Sequence, residues 1–187
     1  MSFFNNLKIS LKLILSFGCL IVLSGGISTF IAERLLHLEK IGDLQTHTYE
    51  VIESLERTLL GMVNQETGLR GFLVSGNDRF LEPFRYGIEE FETAYAEVKE
   101  LTADNPAQQA RLEELLAFAL AWREIAETEI QMMTDPLSRL AARNMESEGA
   151  GKASMDGFRA KVKEIDKEER MLLAERNAAE AEASSST

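Results

Sequence analysis

Twenty consecutive uncharged residues constrain the fold of this chain more strongly than any other feature of its sequence. The run LILSFGCLIVLSGGISTFIA, at positions 13–32, lies between Lys12 and Glu33. As an α-helix it would be about 30 Å long, which matches the hydrocarbon core of a bilayer. A helix also satisfies the backbone hydrogen bonds that lipid cannot supply. We therefore predict one transmembrane helix at residues 13–32, in contact with the lipid bilayer.

The charges on either side of this run predict its orientation. Lys8 and Lys12 precede it and no acidic residue does, so the positive-inside rule places residues 1–12 in the cytoplasm. Residues 33–187 then lie beyond the membrane, which in a bacterium is the periplasmic side of the inner membrane. A cleaved signal peptide is the alternative, but the run is long for such a segment and no Ala-x-Ala site comes after it. We expect a single-pass protein.

The charge of the remaining chain argues against one class of partner. Residues 33–187 hold 31 acidic residues against 18 Lys and Arg, because two of the 20 basic residues precede Glu33. This excess of negative charge is unsuited to phosphate backbones, so we expect no nucleic-acid partner. The single cysteine, Cys19, lies within the uncharged run, and neither a disulfide nor a cysteine-based metal site is predicted.

Residues recur three and four positions apart in four largely apolar stripes, which is the pattern of helices packed in a bundle. The stripes are Ile41, Leu44, Thr48, Val51, Leu55, Leu59, Met62, Glu66, Leu69, Leu73; Phe80, Phe84, Gly87, Phe91, Tyr95, Val98, Leu101; Leu115, Phe118, Trp122, Ile125, Glu129, Met132; and Phe158, Val162, Ile165, Glu169, Leu172, Arg176, Ala179, Ala183. No break except Gly42 separates this first helix from the membrane segment, so one helix is predicted from the membrane to Val74. Asp78 is predicted to cap the second helix.

Helix lengths predict how the four helices connect. At about 1.5 Å per residue, the first helix beyond the membrane is about 60 Å long and the last, residues 151–187, about 55 Å. The second and third helices, each about 40 Å long, fit between them, and a short helix at Leu137–Met145 crosses the tip. We predict an all-α fold: an up-down-up-down four-helix bundle with a short tip helix, preceded by one transmembrane helix continuous with the first bundle helix.

Two segments of the chain resemble a known family. The segment ETGLRGFLVSGNDRFLEPF, from Glu66 to Phe84, closely resembles the signature of type-three CHASE domains, which are extracellular sensor modules of bacterial membrane receptors. The segment GKASMDGFRAKVKEIDKEERMLLAER, from Gly151 to Arg176, resembles the second block of that family. The resemblance covers about residues 35–185 and implies a helical-bundle sensor at residues 33–187.

The resemblance also implies a larger receptor. In the family, a second membrane helix leads from the sensor to a cytoplasmic output module such as a histidine kinase, a chemotaxis transducer or a cyclic-dinucleotide enzyme. This sequence stops at Thr187, within the predicted last helix, so we expect it to be the front part of a longer protein.

The two family-like segments are predicted to face each other near the tip of the bundle. Arg70 and residues 152–156 lie at the same predicted height, about 55 Å above the membrane. Glu66, Arg70, Asp156 and Arg159 would then form a charged layer between the first and last helices. In one interpretation the layer only fixes the register of the bundle, and hydrogen bonds offset its desolvation. In the other, a small anionic or zwitterionic ligand competes with the carboxylates for the arginines and displaces the last helix.

Four further residues are predicted to serve packing. Gly68 and Gly71 would let the helix backbones near this layer approach closely, since glycine is otherwise unfavourable in a helix by about 1 kcal/mol. Glu169 and Arg176 lie seven residues apart on the last stripe and would fix the register of the bundle or of a dimer.

The sequence contains no recognisable catalytic or metal-binding set. His37 and His47 are ten residues apart and lack a third ligand at helical spacing, so we predict no metal site and no cofactor. No nucleophile–base set, phosphate-binding loop or dinucleotide turn can be assembled, and we expect no enzymatic activity within these residues.

These features predict the sensory input region of a bacterial transmembrane receptor, either a two-component kinase or a chemotaxis transducer. We expect a homodimer that detects a signal outside the cytoplasm and transmits it by displacement of the last helix relative to the first. The alternative is a membrane-anchored helical bundle that binds no ligand and only dimerises and spaces an output module.

Overall fold

The structure, a computed structural model, describes residues 8–185. Within this range the chain forms helices and no strand, which confirms the all-α prediction. The helices are α1 (Ile9–Ser75), a 3-10 helix (Asp78–Leu81), α2 (Glu82–Leu101), α3 (Pro106–Thr134), α4 (Arg139–Glu148) and α5 (Lys152–Ser185). Most of the predicted cytoplasmic segment 1–12 lies outside the described residues, as do residues 186–187 and the side chains of Leu38, Ala183, Ser184 and Ser185.

Of the described residues, 8–44 and 178–185 form one compact unit, and residues 45–177 form a second. In the first unit, α1 contains an 18-residue window with a mean hydropathy of 2.1, none of which is buried within the protein. By length and composition this segment could cross a membrane, because a bilayer core needs about 20 apolar helical residues.

In the second unit, neighbouring helices contact each other in antiparallel order. As residue numbers rise along α1, the numbers of the residues that they contact on α2 fall: Gly61 lies against Gly87, and Gly68 lies against Phe84. The same order relates α5 to α1 and to α3, through contacts of Arg176 with Thr48, Arg159 with Glu66, Glu169 with Gln108 and Gly157 with Phe118. These antiparallel contacts bring the two ends of the second unit's sequence close together, where Gln45 donates a hydrogen bond to Asn177.

The turn after α1 differs from the prediction. Gly76 adopts a left-handed backbone with φ of +66°, which ends the helix. The N-cap residue here is Asn77 rather than Asp78, and it caps the 3-10 helix. Its side chain accepts a hydrogen bond of 3.1 Å from the backbone N–H of Arg79. A turn of 3-10 helix comes next, so α2 begins only at Glu82.

The buried face of α3 also differs from the predicted stripe at three positions. Phe118 is 36% exposed, whereas Ala119, Ala126 and Met133 are buried in place of Phe118, Ile125 and Met132. The small alanines sit in the densely packed core, and the Phe118 ring covers Gly157 of α5 instead. A Cβ atom on Gly157 would lie 2.4 Å from that ring.

Candidate functional site

A buried carboxylate joins α1 to α5 near the tip of the bundle. The Glu66 side chain is 11% exposed, and its two oxygens contact different arginines. Oε1 lies 2.9 Å from Arg70 Nη2, one turn further along α1, and Oε2 lies 2.6 Å from Arg159 Nη2 on α5. One carboxylate therefore holds two guanidinium groups from two helices.

The tip helix α4 supplies a second carboxylate, which the sequence reasoning missed. Arg70 Nε donates a hydrogen bond of 2.6 Å to Glu146 Oε1. This hydrogen bond raises the pKa of Arg70, and the negative charges of Glu66 and Glu146 add to the rise. The amphipathic pattern of the tip helix is visible in the sequence, but the placement of its polar face over Arg70 is not. The guanidinium of Arg70 thus bridges α1 and α4.

Asp156 and Lys152 extend the charged layer along the first turns of α5. Lys152 Nζ donates a hydrogen bond to Asp156 Oδ2, which lowers the pKa of Asp156. Asp156 Oδ1 is 4.0 Å from Arg159 Nη1, so Lys152 is its closer partner. The structure therefore brings all four predicted residues into one layer and adds Glu146 and Lys152 to it. The arrangement alternates in charge and links α4, α1 and α5.

These charged groups line a cleft of about 400 Å³. Trp122 of α3 forms part of its wall, together with Gly151 and Met155. Trp122 is 4% exposed. Gly151 makes room for it, because a Cβ atom there would lie 2.9 Å from the indole Nε1. The cleft thus combines three cationic and three carboxylate side chains with one largely buried indole ring.

A comparison with protein families decides what kind of domain holds this cleft. The family model of the CHASE3 domain matches residues 43–179 of the chain. The chain belongs to the CHASE3 domain family. CHASE3 is an extracellular sensor domain of bacterial signalling receptors, so the resemblance found in the sequence is confirmed. Comparisons with curated proteins and with solved structures found no significant match.

The two glycines of the CHASE3 signature pack against the start of α2 and the 3-10 helix that precedes it, and not against α5. A Cβ atom on Gly68 would lie 2.5 Å from the backbone N of Phe84, and one on Gly71 would lie 2.7 Å from Phe80 Cδ1. The reason is the compact turn after α1, which folds the start of α2 directly back against this side of α1. The charged side chains of Glu66 and Arg70 instead contact α5 and α4.

Glu169 and Arg176, the predicted register residues, both make contacts inside the chain. Glu169 is 4% exposed and accepts a hydrogen bond of 2.6 Å from Gln108 Nε2 of α3. Arg176 donates a hydrogen bond to Thr48 Oγ1 of α1. Both contacts tie α5 to another helix of the same bundle, and a role in a dimer stays a prediction.

No group of three or more His, Cys, Asp or Glu side chains in residues 8–185 is arranged to hold a metal ion. The acidic members of the cleft are each neutralised by Arg or Lys, which also disfavours a cation there.

Proposed function

We propose that this chain is the sensory input region of a bacterial transmembrane receptor, either a histidine kinase or a chemotaxis transducer. The CHASE3 match and the apolar segment of α1 support this proposal. In it, residues 1–12 are cytoplasmic, residues 13–32 span the inner membrane, and residues 33–187 form a periplasmic sensor that works as a homodimer. The region itself has no catalytic role, and catalysis belongs to the output module of the receptor.

The proposed ligand site is the cleft beside Trp122, and the proposed ligand is a small anionic or zwitterionic molecule. The observation that carries this proposal is the buried Glu66 carboxylate held by two arginines at the edge of a cleft. A ligand carboxylate can replace Glu146 on Arg70, whose side chain is 59% exposed and thus accessible. Trp122 in the wall offers an aromatic surface and an indole N–H to such a ligand.

The same contacts suggest how binding changes the bundle. Glu66 is shared by Arg70 of α1 and Arg159 of α5, so a ligand that captures either arginine alters the link between these helices. A ligand shifts such an equilibrium only as far as its affinities for the two arrangements differ. We propose that occupancy of the cleft displaces α5 relative to α1 by a small slide or rotation.

A structural role without ligand is the second candidate. This role is supported by the ion pairs of the layer, because Arg70, Arg159 and Lys152 each already have a carboxylate partner. In that case the layer only fixes helix register, and the domain serves to dimerise and space the output module.

Thermal unfolding with candidate ligands distinguishes the two. The full chain in detergent micelles is screened against the twenty L-amino acids and a series of C3–C6 dicarboxylates. A ligand at 100 times its Kd stabilises the folded state by about 2.7 kcal/mol, which raises the melting temperature by roughly 5–10 °C in a chain of this size. We expect at least one such shift in the wild type and its loss in Arg70→Ala.

Arg57→Ala is the matched control for this experiment. Arg57 is also an α1 arginine in ion pairs, with Glu90 and Glu97, but it lies outside the cleft. It should retain the ligand shift. Absence of any shift in the wild type across both probe sets would move the assignment to the structural role.

Spin labels test the proposed displacement. Nitroxides are attached at E53C of α1 and K167C of α5, both exposed positions, in a C19S background. The ligand found above should change the distance between the labels by about 1–2 Å, the size of helix shifts in known switches. The Arg70→Ala protein should show no change. An unchanged distance in the ligand-bound wild type would contradict transmission by α5.

A further inference from the structure

Glu129, in the core of the bundle, carries a carboxyl group that the ligand proposal does not use. Its side chain lies on the buried face of α3, and the residue is 1% exposed. Trp122, Ala126 and Met133 are buried on the same face. Neither carboxyl oxygen of Glu129 has a hydrogen-bond partner among the residues that the structure describes. Isolated charges are strongly disfavoured in such surroundings.

The tip helix α4 adds a negative charge and no compensating cation. Glu146, whose other contact is Arg70, acts electrostatically on Glu129. The two arginines of α4 are engaged elsewhere: Arg139 donates a hydrogen bond to the Met133 carbonyl and Arg143 donates one to the Leu73 carbonyl.

The other helices that pack against α3 do not neutralise Glu129 either. On α1, Arg70 contacts Glu66 and Glu146; on α5, Arg159 contacts Glu66, and Lys152 contacts Asp156. On the first turns of α2, the charged residues Glu82 and Arg85 are exposed.

The physical consequence is a preference for the protonated acid. Burial, with a smaller contribution from the charge of Glu146, raises the pKa of Glu129 to about 7. In the unfolded chain the group titrates near its ordinary value of about 4.3. The folded domain therefore holds a proton at Glu129 over a range of pH in which the unfolded chain has lost it.

We propose that Glu129 is a proton-binding site, through which the sensory domain responds directly to the pH outside the cell. Proton binding at this position does not depend on a ligand in the cleft. When the proton leaves, an uncompensated carboxylate remains in the core beside Glu146. The tip must then admit water or separate α3 from α4, and either change alters the contact between Glu146 and Arg70 at the cleft. Loss or gain of the proton in the core thus changes the same charged layer that the proposed ligand contacts.

The expected pH dependence has a definite sign. Because the pKa is higher in the folded state, the stabilisation from proton binding is fully present below about pH 4.3 and is lost as the pH rises through about 7. Between pH 5 and pH 8 the melting temperature should fall by roughly 5–10 °C from this group alone. Trp122, the single tryptophan of the chain, lies two helical turns away on the same face and should report the change by its fluorescence.

The test measures thermal unfolding and tryptophan emission of the full chain in detergent micelles from pH 5 to pH 9. Glu129→Gln keeps the size of the side chain but cannot ionise, so it should remove both the fall in melting temperature and the transition in emission near pH 7. Glu127→Gln is the control, because Glu127 is exposed on the same helix and the variant should keep the wild-type profile.

Two outcomes would overturn the inference: a wild-type profile that is flat between pH 5 and pH 8, or a Glu129→Gln profile that matches the wild type. If Glu129→Gln does not fold, Glu129→Met provides an apolar side chain of similar length, and the same flat profile is expected from it. A carboxyl carbon NMR titration of the wild type assigns the transition independently, and a midpoint below about pH 5 for Glu129 would also overturn the inference.

Discussion

Replacing Gly87 by alanine should destabilise the CHASE3 bundle by about 3 kcal/mol. A Cβ atom at this position would lie 2.5 Å from the backbone O of Gly61 and 2.9 Å from the backbone N of Gln65. Both atoms belong to the main chain of α1, so no side-chain rotation relieves the overlap and the helices must separate. Separation also weakens the hydrogen bond of 3.0 Å from Gln65 Nε2 to the Gly87 carbonyl, a loss that roughly offsets the gain in helix propensity of about 1 kcal/mol.

Chemical denaturation of the full chain measures this effect, with Gly42→Ala as the control. The substitution is the same and the residue is also within a helix, but nothing lies within 4 Å of a Cβ atom at Gly42. The control should be neutral or more stable by up to about 1 kcal/mol. A Gly87→Ala protein as stable as the wild type would show that the helices do not cross as closely as the structure has them.

The second large effect is expected at the buried contact between Gln108 and Glu169. Gln108→Leu should destabilise the bundle by about 2–3 kcal/mol, because it leaves the Glu169 carboxylate in the core without its hydrogen-bond donor. The two residues are 1% and 4% exposed, so water does not readily replace the lost contact. Denaturant unfolding measures the loss.

A double-mutant cycle separates this contact from simple packing. The double variant Gln108→Leu, Glu169→Leu removes both polar groups and should recover most of the lost stability, since replacing both partners by apolar groups is often neutral or stabilising. Glu114→Ala is the control: it removes the ion pair of 2.8 Å between the exposed Glu114 and Lys161, which joins the same two helices, and should cost less than about 1 kcal/mol. A double variant less stable than either single variant would contradict the interpretation.

Regular helix geometry explains why much of this architecture could be predicted. The first stripe, from Val51 to Leu73, is buried almost throughout, because spacings of three and four place its members on one face of any α-helix. The meeting of Glu66 and Arg70 with Arg159 is a consequence of a rise per residue that is nearly the same in every helix, so lengths alone align the family-like segments of α1 and α5.

Sequence alone therefore determined the helices, the apolar membrane segment, the CHASE3 resemblance and the approximate level of the charged layer, since these depend on local periodicity and composition. The tertiary structure decided which neighbour each side chain meets. Glu146 reaches Arg70 only because the short turn at Gly149 holds α4 over the cleft. Gly68 faces α2 because the turn after α1 folds back on that side. Glu129 was expected on the apolar stripe of α3, but its lack of a partner depends on every helix around it, and no spacing within one helix encodes that.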